Sequence, residues 1–300
     1  MRILLALDGS AGAETARSLI DHLTWPEPST VDVVRVIEPV WTMLVMPEVT
    51  FGGTMEDIAG AAEIRREVDA AVAGLARPGL EAVPHVVVGR PANVITETAT
   101  RLGTDLIVMG SRGRGTIATM VLGSVSAEVG HDASCPVLVA RTPQVRRVMV
   151  ALDGIPGSDR LVEAIAVASW LRGAHVEVVN VALSTVPGPG AMFADAYGAS
   201  LAWYEEAVVA ARTAAEACVR EAAERLVDAG LHATWRVLEG DPAATIVDTA
   251  AHDGTDLIVV GTHARTGLRA MVLGSVARNV LLHTKASVLV VHQSDSEAAA

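Results

Sequence analysis

Lysine is almost missing from this chain of 300 residues; Lys285 is the only one, and the formal net charge is −12. Positive charge is therefore carried by arginine, and any contact with a phosphate falls to that residue. A surface this acidic disfavours nonspecific binding of nucleic acid, whose affinity comes largely from phosphate neutralisation, so no nucleic-acid partner is expected. Cysteine is nearly as scarce: Cys135 and Cys218 stand alone, with no CxxC pair or metal-type spacing. That excludes a disulfide framework and a zinc site and fits a reducing compartment. The nine histidines show no ligand spacing either. Mean hydropathy is high at +0.39, yet no apolar run reaches the roughly 20 residues that a spanning helix needs. The opening run Met1–Leu7 is too short for a signal-peptide core and is cut by Asp8. No membrane partner and a cytoplasmic location are expected.

What is present is a repeat. Ala6-Leu7-Asp8-Gly9 returns as Ala151-Leu152-Asp153-Gly154, and Gly89-Arg90-Pro91-Ala92 as Gly240-Asp241-Pro242-Ala243. Gly103 to Val108 returns unchanged as Gly254 to Val259, and Met120 to Val125 as Met271 to Val276. The first match is offset by 145 residues and the others by 151, so the second copy carries six extra residues before Gly240. A self-similarity of this length predicts two tandem domains, 1–142 and 146–294, joined by a short polar link containing Pro143.

Within the first copy, apolar runs predict strands at 2–8, 31–37, 80–88, 104–110 and 136–141, and helical spacing predicts helices at 11–24, 56–76 and about 124–132. Pro91 opens a further helix at a favoured first-turn position. The second copy follows with strands at 147–153, 174–181, 231–238, 255–261 and 287–292, and helices near 199–228 and 242–252. Strands that are apolar throughout and alternate with helices mean a parallel sheet covered on both faces, hence an α/β, Rossmann-like domain written twice. The last strands of the two copies are natural surfaces for pairing them as a pseudo-dimer.

The chain is organised around Met109-Gly110-Ser111-Arg112-Gly113-Arg114-Gly115, which follows a buried strand and leads through Gly123-Ser124-Val125 into a helix. Glycines allow close backbone approach, a helix start offers unpaired N–H groups, and Arg112 and Arg114 add fixed positive charge. The pattern is a phosphate cradle. Asp8, the residues after Val36 and the Gly110 loop all lie at carboxyl ends of strands, where ligands bind in open parallel sheets. No G-x4-G-K-[ST] loop is present, nor a G-x-G-x-x-G fingerprint after the first strand, and no second carboxylate or base accompanies Asp8. No catalytic residue is assigned, and an enzyme is not expected beyond weak nucleotide hydrolysis.

The spacing Gly110-x2-Gly113-x9-Gly123-Ser124, with Ser134-Cys135-Pro136-Val137-Leu138-Val139 behind it, resembles the ATP-binding signature of the universal stress protein family. That resemblance covers nearly the whole chain twice. It implies two adenine nucleotide alpha hydrolase-like domains, each a five-stranded parallel sheet of order 3-2-1-4-5. It implies ATP as cofactor, held in the first copy by Asp8, the backbone of Val36, Gly110, Gly113, Gly123, Ser124 and Val125; Gly9, Met109, Arg112 and Arg114 join them as candidate binding residues. In the second copy the corresponding positions are Asp153, Gly154, Val181, Gly261, His263, Arg265, Gly274, Ser275 and Val276. No metal site is assigned, but Asp8 and Asp153 are placed to meet magnesium carried by ATP. The second copy departs where Ala264 replaces the second glycine, so its site is expected to bind ATP with equal or weaker affinity. The implied role is nucleotide-dependent regulation in stress response or dormancy, with a homodimer and a client protein as further partners. The alternatives are a slow ATPase and a scaffold whose nucleotide is only structural.

Overall fold

The computed structural model describes residues 1–38, 61–113, 122–154, 158–182, 201–262 and 273–292. The first copy runs β1 (Arg2–Leu7), α1 (Ala11–His22), β2 (Ser29–Ile37), α2 (Ala61–Leu75), β3 (Leu80–Val88), α3 (Pro91–Leu102), β4 (Leu106–Gly110), α4 (Ser124–Asp132) and β5 (Val137–Ala140). The second runs β6 (Arg147–Leu152), α5 (Ser158–Ala166), β7 (His175–Ala182), α6 (Leu201–Asp228), β8 (His232–Glu239), α7 (Pro242–Asp253), β9 (Leu257–Gly261), α8 (Ser275–His283) and β10 (Ser287–Val291). The sequence reading places no separate helix over α5 or α8; the structure supplies both, and a 3₁₀ turn at Ser169–Leu171. The start of the helix expected at 56–76 lies outside the described residues. No helix among the described residues is long and apolar enough to cross a membrane.

Each copy is a parallel five-stranded sheet of order 3-2-1-4-5, and the two are fused into one ten-stranded sheet, β3-β2-β1-β4-β5-β10-β9-β6-β7-β8. The seam is the pair β5–β10, which is antiparallel although every other pairing is parallel. Leu138 faces Leu289, its own repeat counterpart 151 residues on, with Val139↔Val288 and Val137↔Val290 to either side. A residue that meets its own counterpart marks a pseudo-two-fold axis, the internal equivalent of an isologous dimer contact. Trp25 and its counterpart Trp170 also meet, with ring centroids 5.6 Å apart. Apolar side chains form one cluster on each face, and both clusters run through both copies.

The repeated Gly-Thr-Asp motif is structural. Gly103 and Gly254 close α3 and α7 in the left-handed conformation, with φ of 65° and 66°, where a glycine avoids the Cβ penalty. Asp105 accepts the backbone N–H of Arg2 at 2.7 Å, and Asp256 accepts those of Arg146 and Arg147 at 2.8 and 3.0 Å. The registers also locate the six extra residues. β1 and β2 keep the 145-residue offset into β6 and β7, while β3 matches β8 at 151, so the insertion lies between β7 and β8. That segment includes α6.

A carboxylate is buried within the first sheet. Asp32 of β2 is fully buried and accepts from Arg2 at 2.6 and 3.1 Å and from His85 of β3 at 2.7 Å. Burial by itself pushes the Asp32 carboxyl up, but the hydrogen bonds from Arg2 and His85 prevail and hold it below the usual carboxylate range. In the second copy the cluster is rebuilt around Arg236, which takes the place of His85 and donates to Glu177 at 2.7 Å and to Asp253. A carboxyl with a depressed folded pKa stabilises the fold above its unfolded value near 3.9, and that contribution is lost as pH falls further. Asp32→Asn is therefore expected to cost about 2 kcal/mol at pH 7, a figure reduced because water reaches Arg2. Urea unfolding of both proteins from pH 7 to pH 3 checks this: the gap between them should shrink below about pH 4.

Candidate nucleotide site

At the carboxyl edge of the first sheet lies a cavity of about 680 Å³, within the range of small-molecule sites. Its walls are apolar, from Ala6, Leu7, Val34, Ile95, Met109 and Leu122, and its rim carries Asp8, Glu38 and Arg112. Strand order opens it. β1 pairs with β2 only as far as Leu7↔Arg35 and with β4 only as far as Ala6↔Met109. Val36 therefore lies one residue beyond its ladder with β1, leaving backbone polar groups facing the cavity edge. Val181 stands in the same relation to β6, whose pairing with β7 ends at Leu152↔Asn180.

The strand ends are held by turn chemistry. Gly9 and Gly154 follow the two aspartates at φ of 74° and 72°, a conformation that favours glycine. Asp8 accepts the Ser10 N–H at 3.0 Å, so the helix cap itself is Ser10, whose Oγ accepts from the Ala13 N–H at 3.2 Å. The Ser10 hydroxyl also donates to the carbonyl of Arg112 at 3.0 Å, tying the start of α1 to the glycine loop. The loop is fixed from the other side by Ser126, whose hydroxyl donates to the Gly110 carbonyl at 2.8 Å, and by the Gly123 N–H, which donates to Ser111 at 2.7 Å. Gly123 caps α4 without a side-chain hydrogen bond. The first-turn N–H groups of α4 therefore open onto the cavity beside Arg112, a ready site for an anion.

The three loop glycines have different reasons. A Cβ on Gly110 would lie 2.4 Å from the carbonyl carbon of Gly12, so this glycine serves the packing of β4 against α1. A Cβ on Gly113 would lie 2.6 Å from the Asp8 carboxylate. None of the three has a positive φ; what Gly113 requires is room beside Asp8. A Cβ on Gly123 would meet neighbours no closer than 3.4 Å, ordinary contact.

Of the first-copy positions expected from sequence, Asp8, Val36, Met109, Gly110, Arg112, Gly113, Gly123, Ser124 and Val125 line this cavity. Gly9 lines a smaller adjoining crevice of about 280 Å³ with Ser10, Glu14, Arg17 and Glu67. Arg114, His263 and Arg265 lie outside the described residues, as does Ala264. In the second copy Asp153, Gly154, Val181 and Gly261 stand at equivalent strand ends, and Gly274, Ser275 and Val276 begin α8, again with no side-chain cap. Sequence reasoning missed Arg35, Glu38 and Pro91 as cavity residues. Arg35 is 6% exposed, and an arginine inside Val-Asp-Val-Val-Arg-Val-Ile was the signal that could have found it. Its counterpart is Asn180, which donates to the Leu152 carbonyl at 2.8 Å. The cation beside the first cavity is thus replaced by a neutral amide in the second copy.

No group of three or more potential metal ligands occurs among the described residues. Burial pushes the Cys135 thiol up to about 11 and raises that of Cys218 as well, as expected of packed thiols rather than nucleophiles.

The profile of the universal stress protein family matches residues 1–141 and again 144–292. A universal stress protein of Mycobacterium tuberculosis strain H37Rv is 31% identical over a 320-residue alignment that covers 97% of each chain. One from Thermus aquaticus is 36% identical over 139 residues, 46% of this chain and 97% of its own. Among solved structures, a universal stress protein from Archaeoglobus fulgidus covers 98% of each chain with a TM-score of 0.61 at 21% identity, a likeness of fold.

The glycine contacts predict unequal responses to the same added methyl. Gly110→Ala should cost about 1–3 kcal/mol through overpacking against α1. Gly123→Ala should cost no more than about 1 kcal/mol, the difference between two residues at a helix cap. Thermal unfolding of both variants without ligand checks the order, and it makes Gly123 the cleaner position for probing binding.

Proposed function

The chain belongs to the universal stress protein family as a tandem member, and on that premise we propose that it is an ATP-binding regulatory protein. The observation that carries the reading is the first-copy cavity, an apolar slot that ends on the uncapped start of α4 beside Arg112. The apolar walls suit a purine, and the open backbone edge at Val36 suits hydrogen bonding to its ring edge. The α4 N-terminus, Arg112 and the glycine loop suit the phosphates. Asp8 is placed for the ribose, or for magnesium arriving with the nucleotide. The Gly113 cradle, which a Cβ would fill, fits the same ligand. ATP bound against the glycine loop and α4 would stabilise one conformer by differential affinity, and that conformer is what a client protein or a second chain would recognise. The reading as a regulator is supported by the sequence, which has no G-x4-G-K-[ST] loop to clamp phosphates for transfer.

The second copy is proposed as the weaker site. Asn180 in place of Arg35 removes a positive charge. Ala264 introduces a methyl at the position matching Gly113, where the first copy has room only for the Asp8 carboxylate.

The test is nucleotide content and stoichiometry. Nucleotide released from the denatured protein is identified by chromatography, and the stripped protein is titrated calorimetrically with ATP and magnesium. The expected result is one tight equivalent per chain, with a second that is at least several-fold weaker and is strengthened by Ala264→Gly. Asp8→Asn is expected to weaken the tight site roughly ten-fold, the effect of one lost charge-assisted contact. Absence of binding at millimolar ATP would refute the reading. Magnesium-dependent turnover well above background, abolished by Asp8→Asn, would establish the ATPase instead.

A further inference from the structure

The last turns of α4 and α8 are not completed by their own copies. In an α-helix the final carbonyls lack intrahelical partners. The Val129 and Val280 carbonyls are taken locally, by the N–H groups of Ala133 and Thr284. The next carbonyl in each helix is taken by the other copy. His292, the residue after β10, reaches across the seam with Nε2 3.1 Å from the Gly130 carbonyl of α4. Arg141, the residue after β5, donates to the Leu281 carbonyl of α8 at 2.6 Å and to the Ala286 carbonyl at 3.1 Å. These are the same contact seen from both sides of the pseudo-two-fold axis: Arg141 and His292 are repeat counterparts, and so are Gly130 and Leu281, 151 residues apart in each case. Gly130 and Leu281 themselves pack together at the axis.

The same two residues adjoin the glycine loops of their own copies. The Ala140 carbonyl, one residue before Arg141, accepts the N–H of Ser111 at 3.2 Å. The Val291 carbonyl, one residue before His292, accepts the N–H of Thr262 at 3.0 Å. Arg141 is further fixed through its backbone N–H, which donates to the Ser287 hydroxyl at 3.0 Å. Each of the two residues thus joins the loop of one copy to the ligand-facing helix of the other.

We propose that Arg141 and His292 are crosswise positioning residues: each sets the helix whose N-terminus receives the phosphates in the opposite copy, so that the two nucleotide sites are coupled. The inference rests on the ATP-binding reading for its ligand, but the anchoring is a property of the folded chain alone. The α4 helix has nine residues and is too short to hold its axis from one end. Its N-terminus meets the cavity and its C-terminus is held across the seam, so a displacement at either end is transmitted to the other. The two anchors are also chemically unequal. Arg141 is a fixed cation, favourable at the C-terminus of α8. Burial lowers its pKa to about 10, with the nearby Arg112 adding to the effect, and it remains charged at neutral pH. His292 is 9% exposed, and burial, with the neighbouring His131, lowers its pKa despite the bond to Gly130. The first site is thus held by a neutral donor and the second by a charged one.

Amide hydrogen exchange of the full chain, with and without ATP, tests the proposal in His292→Leu, His292→Gln, Arg141→Leu and Arg141→Lys. His292→Leu should speed exchange in α4 on the order of five-fold while leaving α8 unchanged, and should weaken the tight site by a similar factor. His292→Gln, which restores an N–H donor, should recover most of both effects. Arg141→Leu should speed exchange in α8 and spare α4, with Arg141→Lys as the milder form should the leucine variant not fold. Changes confined to the helix of the mutated residue's own copy, or equal in both helices, would overturn the crosswise assignment. A crosswise exchange pattern without any change in ATP affinity would overturn the coupling. If the unaltered protein takes up no ATP, it is the ATP reading that falls, and the ligand-free exchange pattern still decides the anchoring.

Discussion

The fold depends on the short antiparallel ladder between β5 and β10. A parallel five-stranded sheet ends in β5 with a row of unpaired N–H and C=O groups, and a second copy of the same unit presents the same row from β10. Pairing them satisfies both edges at once and makes one continuous sheet. Because the chain meets its own repeat there, the contact is symmetric, and every feature near the axis occurs twice. Trp25 meets Trp170, Leu138 meets Leu289, and Gly130 meets Leu281. The cores on both faces then run through the seam, so neither copy has a closed core of its own.

The site follows from the same sheet. Strand order 3-2-1-4-5 reverses direction between β1 and β4, so that α1 covers one face there and α3 and α4 the other. The gap beyond the ends of β1 and β4 cannot be filled by either set of helices, and it becomes the cavity. What surrounds it is held by backbone hydrogen bonds from small side chains, Ser10 to Arg112 and Ser126 to Gly110, rather than by bulky packing. These bonds fix the two described ends of the loop, at Gly110–Gly113 and at Gly123. Two copies with the same frame then differ by a few residues, Arg35 against Asn180 and, in the sequence, Gly113 against Ala264.

The fold class was legible in the sequence because its signals are local or repeated, whereas the strand order came from the family resemblance; most of the first-copy residues singled out from sequence line the cavity. Apolar strand runs, the glycine spacing and a 145-to-151-residue self-match need no tertiary information. The glycine roles were less legible. Gly110, Gly113 and Gly123 look alike as a motif, yet one is a packing contact with Gly12, one leaves room for a carboxylate and one is a helix cap. Arg35 was missed because an arginine within a strand run reads as an interruption in an apolar pattern, and only the register places it beside the cavity. α5 and α8 went unplaced because short helices carry little periodic signal of their own; α4, as short as α8, was placed by the glycine loop ahead of it, a cue that α8 repeats at Gly274-Ser275-Val276.

The sequence by itself determined that there are two copies of one α/β unit and where each places its glycine loop. These follow from short-range patterning, which any stretch of chain displays on its own. Only the tertiary structure decided which residues meet across the seam, because that depends on the sense and register of a pairing between strands some 150 residues apart. Nothing in the tripeptide around Arg141 or His292 announces a helix cap. The antiparallel sense of one four-residue strand turns both side chains onto the opposite copy.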